Sequence, residues 1–411
     1  MPENRPQDEF NTEEHKTLRS DRPDGRHLCA RGFVHHRLRE LHRARPLLAF
    51  DPELTKDAFL AWQARHREKM RELMRFPEVP PQPSPALVSE AKRQGYTLQR
   101  WEVYPQPACV VPVLMLAPDG VSEERPAPAV LCFPGSKGTK ETLAGEDEHP
   151  RSRHPGKNSM AKFYAQAGMV SVAVDNPGFG ETADIGYAAG ARELLSLYLL
   201  KTGWHYWGMA VFNAMRILEW MKQLGFVDAS RIALSGHSCG VGPIGPLAVL
   251  DPDIRAVVNN DNLSDGLRRE LVTTKPDENG NRPYPSNPLR NCVPGAQKWF
   301  GNLDTRAALA PRHALYTEGG NQADLDLLRR AYRIMDAEDR LAICHHAKFR
   351  DPAQRLYDYA PVPEGITESE HKAYANADGE DHFFHADIAV PWMKQALASG
   401  RGLNPLSARR Q

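Results

Sequence analysis

Residues 231–250 read RIALSGHSCGVGPIGPLAVL. The short run Arg231–Ser235 leads straight into Gly236-His237-Ser238-Cys239-Gly240, and an apolar stretch to Leu250 follows. That order predicts a strand, a tight turn and a helix. Glycine at both ends of the pentapeptide lets the backbone turn without a side chain in the way, and a serine at the apex has its Oγ lifted above the end of a sheet. G-x-S-x-G is common by chance; the strand before it and the helix after it give it meaning. The competing reading is a structural turn in a nucleotide-binding α/β fold. Against that reading, neither G-x-G-x-x-G nor G-x-x-x-x-G-K-[ST] follows a strand in this chain.

Outward from the turn, strand and helix patterns alternate. Strands are expected at Ala129–Phe133, Met169–Val174, Ile254–Val258, His313–Thr317 and Leu341–His345. Helices are expected at Ser159–Ala167, across Leu194–Leu224, at Leu325–Met335 and at Ala386–Ala398. Such alternation implies an α/β fold with a mainly parallel sheet and helices on both faces. Upstream, Asp51 opens a helix carrying Leu54, Phe59, Leu60, Trp62, His66 and Met70 at helical spacing, ending before Pro77. After a Pro-rich connector, Tyr96–Tyr104 and Cys109–Leu116 read as an antiparallel hairpin that opens the sheet.

The chain therefore divides into three expected parts. Residues 1–45 form a polar, Arg/His-rich arm, partly disordered, with a basic helix over Gly32–Arg45. The arm is expected to be solvated, or else to contact a second copy in a homodimer or act as a lid. Residues 46–120 carry the helix and the hairpin. Residues 121–411 carry the catalytic core, with irregular insertions at 262–310 and 347–380. Tyr284, Trp299 and Phe300 are expected to shape a substrate pocket.

Of 411 residues, 41% are hydrophobic and 25% charged, as in ordinary globular proteins. Lys plus Arg (52) balances Asp plus Glu (52), so no global field attracts a phosphate backbone and nucleic acid is not an expected partner. No apolar run approaches the roughly 18 residues that span a bilayer, so no membrane association is expected. The charged first twenty residues lack the apolar stretch of a secretory signal, and a cytoplasmic protein is expected. The six cysteines contain no C-x-x-C pair, and free buried thiols are the expectation.

A serine needs a base to remove its proton. After the last strand, His382 in DGEDHFFHAD is the expected base; His385 is the competitor, placed where a helix starts and suited to capping or packing. His345 and His346 at a strand end read as structural, and His237 as packing beside the nucleophile. The acid should follow HALYT. Asp324 is the first choice, since the acid usually trails the strand by a few loop residues, although it also suits a helix N-cap. Glu318, at the strand end, is the rival, and Asp261 a distant third. The oxyanion donors are expected to be the N–H groups of Cys239 and Ser136, the latter in Pro134-Gly135-Ser136-Lys137-Gly138 after the AVLCF strand. Lys137 and Lys140 read as solvated. Asp175–Glu181 (DNPGFGE) reads as a structural turn. The patch Glu146, Asp147, Glu148, His149 lacks metal-ligand spacing. No metal and no organic cofactor are expected.

LCFPGSKGTKETLAG, VAVDNPGFGET, YWGMAVFNAMRILEWM, RIALSGHSCG and NCVPGAQKWFGNLDTRAALAPRHALYTEGG together resemble the bacterial α/β-hydrolases related to acetyl xylan esterases and dienelactone hydrolases. The resemblance runs from about residue 50 to the C-terminus. It implies an α/β-hydrolase fold and a serine esterase acting on a small-molecule ester, acetyl groups on carbohydrate included. By position it implies Ser238, His382 and an acid within 318–324. Two departures stand out: Pro134-Gly135 where many hydrolases have His-Gly, and a long stretch between the last strand and His382. The alternatives are a lactone, thioester, C–C or peptide hydrolase on the same residues, or a binding protein that kept the fold without turnover.

Overall fold

The computed structural model describes residues 30–147, 152–185, 191–264, 266–275, 289–355 and 357–398. It divides into two compact units, Met1–Arg45 and Pro46–Gln411. The described part of the first contains a helix, Ala30–Arg43, its last turn basic with His42 and Arg43. Residues 1–29 of the expected arm, Glu148 and His149 of the acidic patch, and Tyr284 of the expected pocket lie outside the described residues.

The second unit is built on a nine-stranded sheet in the order β1-β2-β3-β5-β4-β6-β7-β8-β9. The strands are β1 Ala86–Arg93, β2 Tyr96–Gln106, β3 Cys109–Pro118, β4 Ala127–Phe133, β5 Val170–Val174, β6 Val227–His237, β7 Ala256–Asn260, β8 His313–Tyr316 and β9 Leu341–Ile343. β1, β2 and β3 pair antiparallel, β3 meets β5 antiparallel, and every pairing from β5 to β9 is parallel. This is an α/β-hydrolase sheet with an antiparallel N-terminal lead-in. β1 was not expected from the sequence. Its residues are mostly exposed and follow no apolar alternation, because it covers the edge of the hairpin rather than a core.

The central strands bury both faces, and alternate side chains enter two separate cores. In β4, Ala129, Leu131 and Phe133 pack on one side, Val130 and Cys132 on the other. Helices Lys56–Met74, Tyr206–Met221, Ile244–Leu250 and Gln322–Ile334 cover the first face. Helices Lys140–Ala144, Met160–Gln166 and Ala386–Ala398 cover the second.

Several local expectations are corrected. The first helix begins at Lys56, with the Thr55 side chain accepting the Ala58 N–H, and not at Asp51. The long helix expected over 194–224 is two helices, Ala191–Lys201 and Tyr206–Met221. Gly203 adopts φ 79°, and His205 caps the second helix by accepting the Gly208 N–H at 3.0 Å on Nδ1. The break lets Gly208 approach the helix Lys56–Met74 so closely that a Cβ there would stand 2.6 Å from the Met74 carbonyl oxygen. The described cysteines are free, but only Cys132 among them is buried.

Candidate active site

β6 ends at His237, and the next residue, Ser238, takes φ 52°. A left-handed backbone at a non-glycine residue is uncommon and costs of order 1 kcal/mol, so the surroundings must hold it. The surroundings are the two glycines of the pentapeptide. A Cβ on Gly236 would run into the Gly240 carbonyl, and one on Gly240 into the Phe133 carbonyl at the end of β4. The turn and the loop after β4 are thus packed backbone to backbone. From Ser238 the chain makes one 3-10 turn, Ser238–Val241, before the helix Ile244–Leu250.

The loop after β4 leads to helices on one face of the sheet, and the turn after β6 leads to a helix on the other. Between these neighbouring strands the carboxyl ends leave a crevice, the place where open α/β sheets bind ligands. Pro134-Gly135-Ser136 forms one wall. Gly135 lies against the turn at Ser238, where a Cβ would be 2.9 Å from His237 Nδ1 and 3.5 Å from Ser238 Cβ. The Asn176 side-chain amide donates to the Pro134 carbonyl at 3.0 Å, and the Gly138 N–H donates to the Gly135 carbonyl at 3.1 Å. Ser136 and Cys239 are both half-buried at this edge.

The wall is anchored by an ion pair that corrects one expectation. Lys140 is not solvated: its side chain is 1% exposed, and Nζ lies 3.0 Å from Asp175 Oδ2 and 2.6 Å from Glu181 Oε2. The Lys140 N–H also donates to Asp175 Oδ1 at 2.8 Å. Burial would lower the ammonium pKa, but Asp175, Glu181 and Glu141 outweigh it and hold it above its ordinary value. Asp175 and Asn176 thus tie the DNPGFGE turn to the segment after β4.

His382 Nδ1 lies 2.7 Å from Glu318 Oε2. Glu318 follows β8, and its side chain is 1% exposed. Its other oxygen accepts the Asn260 amide at 2.7 Å, and the same amide donates to the Phe383 carbonyl at 2.8 Å. Asn260 thus ties Glu318 to the loop that carries His382, a contact that sequence reasoning missed. The signal was there: β7 reads AVVNN, a polar pair at the carboxyl end of an otherwise apolar strand. Burial works against the charge on His382, but the bond and charge of Glu318 prevail and raise its pKa above 6.5. Burial raises the Glu318 carboxyl as well. The two titrate as a pair, and the firm direction is a histidine held above its ordinary range.

Asp324, the first choice of acid on the sequence, does not meet His382. It sits in the first turn of the helix Gln322–Ile334 and pairs with Arg268 at 3.1 Å. The carboxylate on the histidine is Glu318, because β8 ends at Tyr316 and the following turn brings residue 318 back over the sheet edge. Asp324 is not the helix cap either; the Asn321 side chain accepts the Ala323 N–H.

His237 packs on His382, with ring centroids 4.7 Å apart. Burial, then the neighbouring His382, His385 and His154, holds its pKa well below 6.5, so it is neutral. Trp299 and Phe300 pack against the helix Lys56–Met74. Phe300 is buried and stacks on His66 at 4.2 Å, and Trp299 lies under the Lys69 ammonium at 3.8 Å. Beside the Pro134 loop lies a cavity of about 660 Å³, lined among others by Phe133, Asn176, Leu195 and Asn213. Among the described residues, two groups bring three ligand-type side chains together: His237, Glu318, His382, and His346, Asp381, His385. No helix among the described residues is long and apolar enough to cross a membrane.

Comparison with known proteins agrees with this architecture. The model of the Abhydrolase family matches residues 9–395. The crystal structure of a candidate acetyl xylan esterase from Bacteroides fragilis NCTC 9343 is 39% identical with a TM-score of 0.82, covering 94% of this chain and 99% of that one. A glucuronoyl esterase from Solibacter usitatus is 14% identical with a TM-score of 0.50, covering 86% and 97%, a likeness of fold alone. No curated protein matches the chain.

Proposed function

The chain belongs to the Abhydrolase family and is a carboxylic ester hydrolase, and on that footing we propose that it removes small acyl groups, acetyl on carbohydrate foremost, with Ser238 as nucleophile, His382 as base and Glu318 as acid. The observation that carries this reading is the Glu318–His382 pair held at 2.7 Å above the same sheet edge as a serine in left-handed conformation. Ser238 attacks the ester carbonyl while His382 takes its proton. Glu318 fixes the histidine tautomer and stabilises the imidazolium. The N–H groups of Cys239 and Ser136 face the developing oxyanion. The imidazolium then protonates the leaving alcohol, and neutral His382 activates water to release the acyl group. The similarity to the candidate acetyl xylan esterase supports the choice of acyl group.

Hydrolysis of p-nitrophenyl acetate by the purified protein and by Ser238→Ala tests this. The substitution should lower kcat by about 10⁴-fold or more. Equal activity of the two proteins would remove Ser238 from the role. If neither turns over and a fluorophosphonate leaves Ser238 unlabelled, the fold serves binding.

A further inference from the structure

His346, Asp381 and His385 meet behind the Glu318–His382 pair. The two imidazoles are 1% and 6% exposed, and Asp381 leads out to solvent. One donor atom from each lies within 4.8 Å of the others. Yet His346 Nδ1 and His385 Nε2 are buried nitrogens without a hydrogen-bond partner. Leaving a buried polar atom unmade costs roughly 1–3 kcal/mol, so two in one cluster call for a ligand. The spacing identifies its kind. His346 Nδ1 stands 3.4 Å from Asp381 Oδ2, longer than a good N–H···O bond. It equals the edge of a tetrahedron with bonds of about 2.0–2.1 Å, roughly 3.4 Å, as around zinc.

We propose that His346, Asp381 and His385 form a zinc site, with the fourth position open to water. Two imidazoles and a carboxylate are a donor set suited to that ion. Each ligand is already oriented. Asp381 Oδ2 accepts the Ala347 N–H at 2.9 Å, and the His385 N–H donates to Asn260 Oδ1 at 2.9 Å. The far nitrogen of His346, Nε2, faces Glu318 Oε2 at 3.5 Å. Metal-bound histidines characteristically donate their other N–H to a carboxylate. A metal on Nδ1 fixes that N–H on Nε2, so the site braces the residue assigned as the acid. That consequence rests on the proposed function; the site itself does not.

The test is zinc binding to metal-free, full-length protein, read in competition with a chromophoric chelator. One equivalent should bind and raise Tm, and cobalt should give the intense visible absorption of tetrahedral coordination. His385→Gln should weaken binding more than about 100-fold, since losing only a supporting partner already costs 10–100-fold. Glu318→Gln should still bind zinc, even where it abolishes esterase activity. Absence of binding overturns the proposal. So does binding that survives His385→Gln but is lost in Glu318→Gln, which places the ion on His237, Glu318 and His382 instead. If His385→Gln does not fold, anomalous diffraction at the zinc edge from the wild-type protein decides by locating the ion.

Discussion

At the residue scale, the question is which carboxylate serves His382. Glu318 lies in the turn after β8 and Asp324 six positions on, in the first turn of the next helix, and both are buried acids. Only the tertiary path of the turn after β8 separates them, which is why the sequence left the choice open. Glu318→Gln keeps the shape but lets the side chain donate where it must accept. It should lower kcat by about 10⁴-fold, as loss of the orienting acid does elsewhere. Asp324→Asn should change kcat by no more than a few-fold, because its partner is Arg268. The pH profile adds a sign. Below its pKa His382 is an imidazolium and cannot accept the serine proton, so kcat/KM rises with pH through that pKa. With Glu318 raising it, the acid limb should lie above 6.5. Without Glu318 the remaining burial favours the neutral ring, so the limb of Glu318→Gln should move to lower pH. A limb that stays in place would show that Glu318 does not set the charge of His382.

At the scale of elements, what the sequence made legible was what local chemistry decides. The strand–turn–helix around Ser238 was readable because small residues, an apolar strand and an apolar helix all lie within twenty positions. The hairpin of β2 and β3 was readable from alternation. β1 was not, since an exposed edge strand has no buried face to leave a pattern. Nor was the break at Thr202–His205, where apolar residues continue on both sides and tertiary contact with the helix Lys56–Met74 makes the decision. Lys140 was misread for a similar reason: beyond its neighbour Glu141, its acidic partners Asp175 and Glu181 come from a segment more than thirty positions away, and a lysine is ordinarily exposed. That burial has a measurable consequence. Asp175→Asn leaves a buried ammonium short of its fully buried counter-charge, and breaking such a pair costs about 3–5 kcal/mol. Urea unfolding should show that loss. Because Asn176, the next residue, holds the Pro134 carbonyl, kcat should fall too. A variant with unchanged midpoint and kcat would show that Glu141 and Glu181 suffice.

At the scale of the whole molecule, the residues of the proposed site are gathered by one sheet rather than by proximity in sequence. Ser238, Asn260 and Glu318 come from the carboxyl ends of β6, β7 and β8, and His382 from the segment before the last helix. Each is carried by a strand or loop whose apolar residues belong to the two cores. Among the described residues, the earliest members of those cores are Leu48 and Phe50. Truncation at Pro46 leaves all of these side chains in place. It also leaves intact the bond from the Trp62 indole to the Leu48 carbonyl, which fixes the start of the second unit at 2.9 Å. A chain beginning at Pro46 should accordingly fold, keep Tm within a few degrees and hydrolyse p-nitrophenyl acetate within a few-fold of the full chain. Its mass in solution tests the arm separately: a shift from dimer to monomer with activity retained assigns the arm to assembly. Loss of the cooperative transition would instead mean that the second unit needs the arm to fold, and that its cores are not self-sufficient.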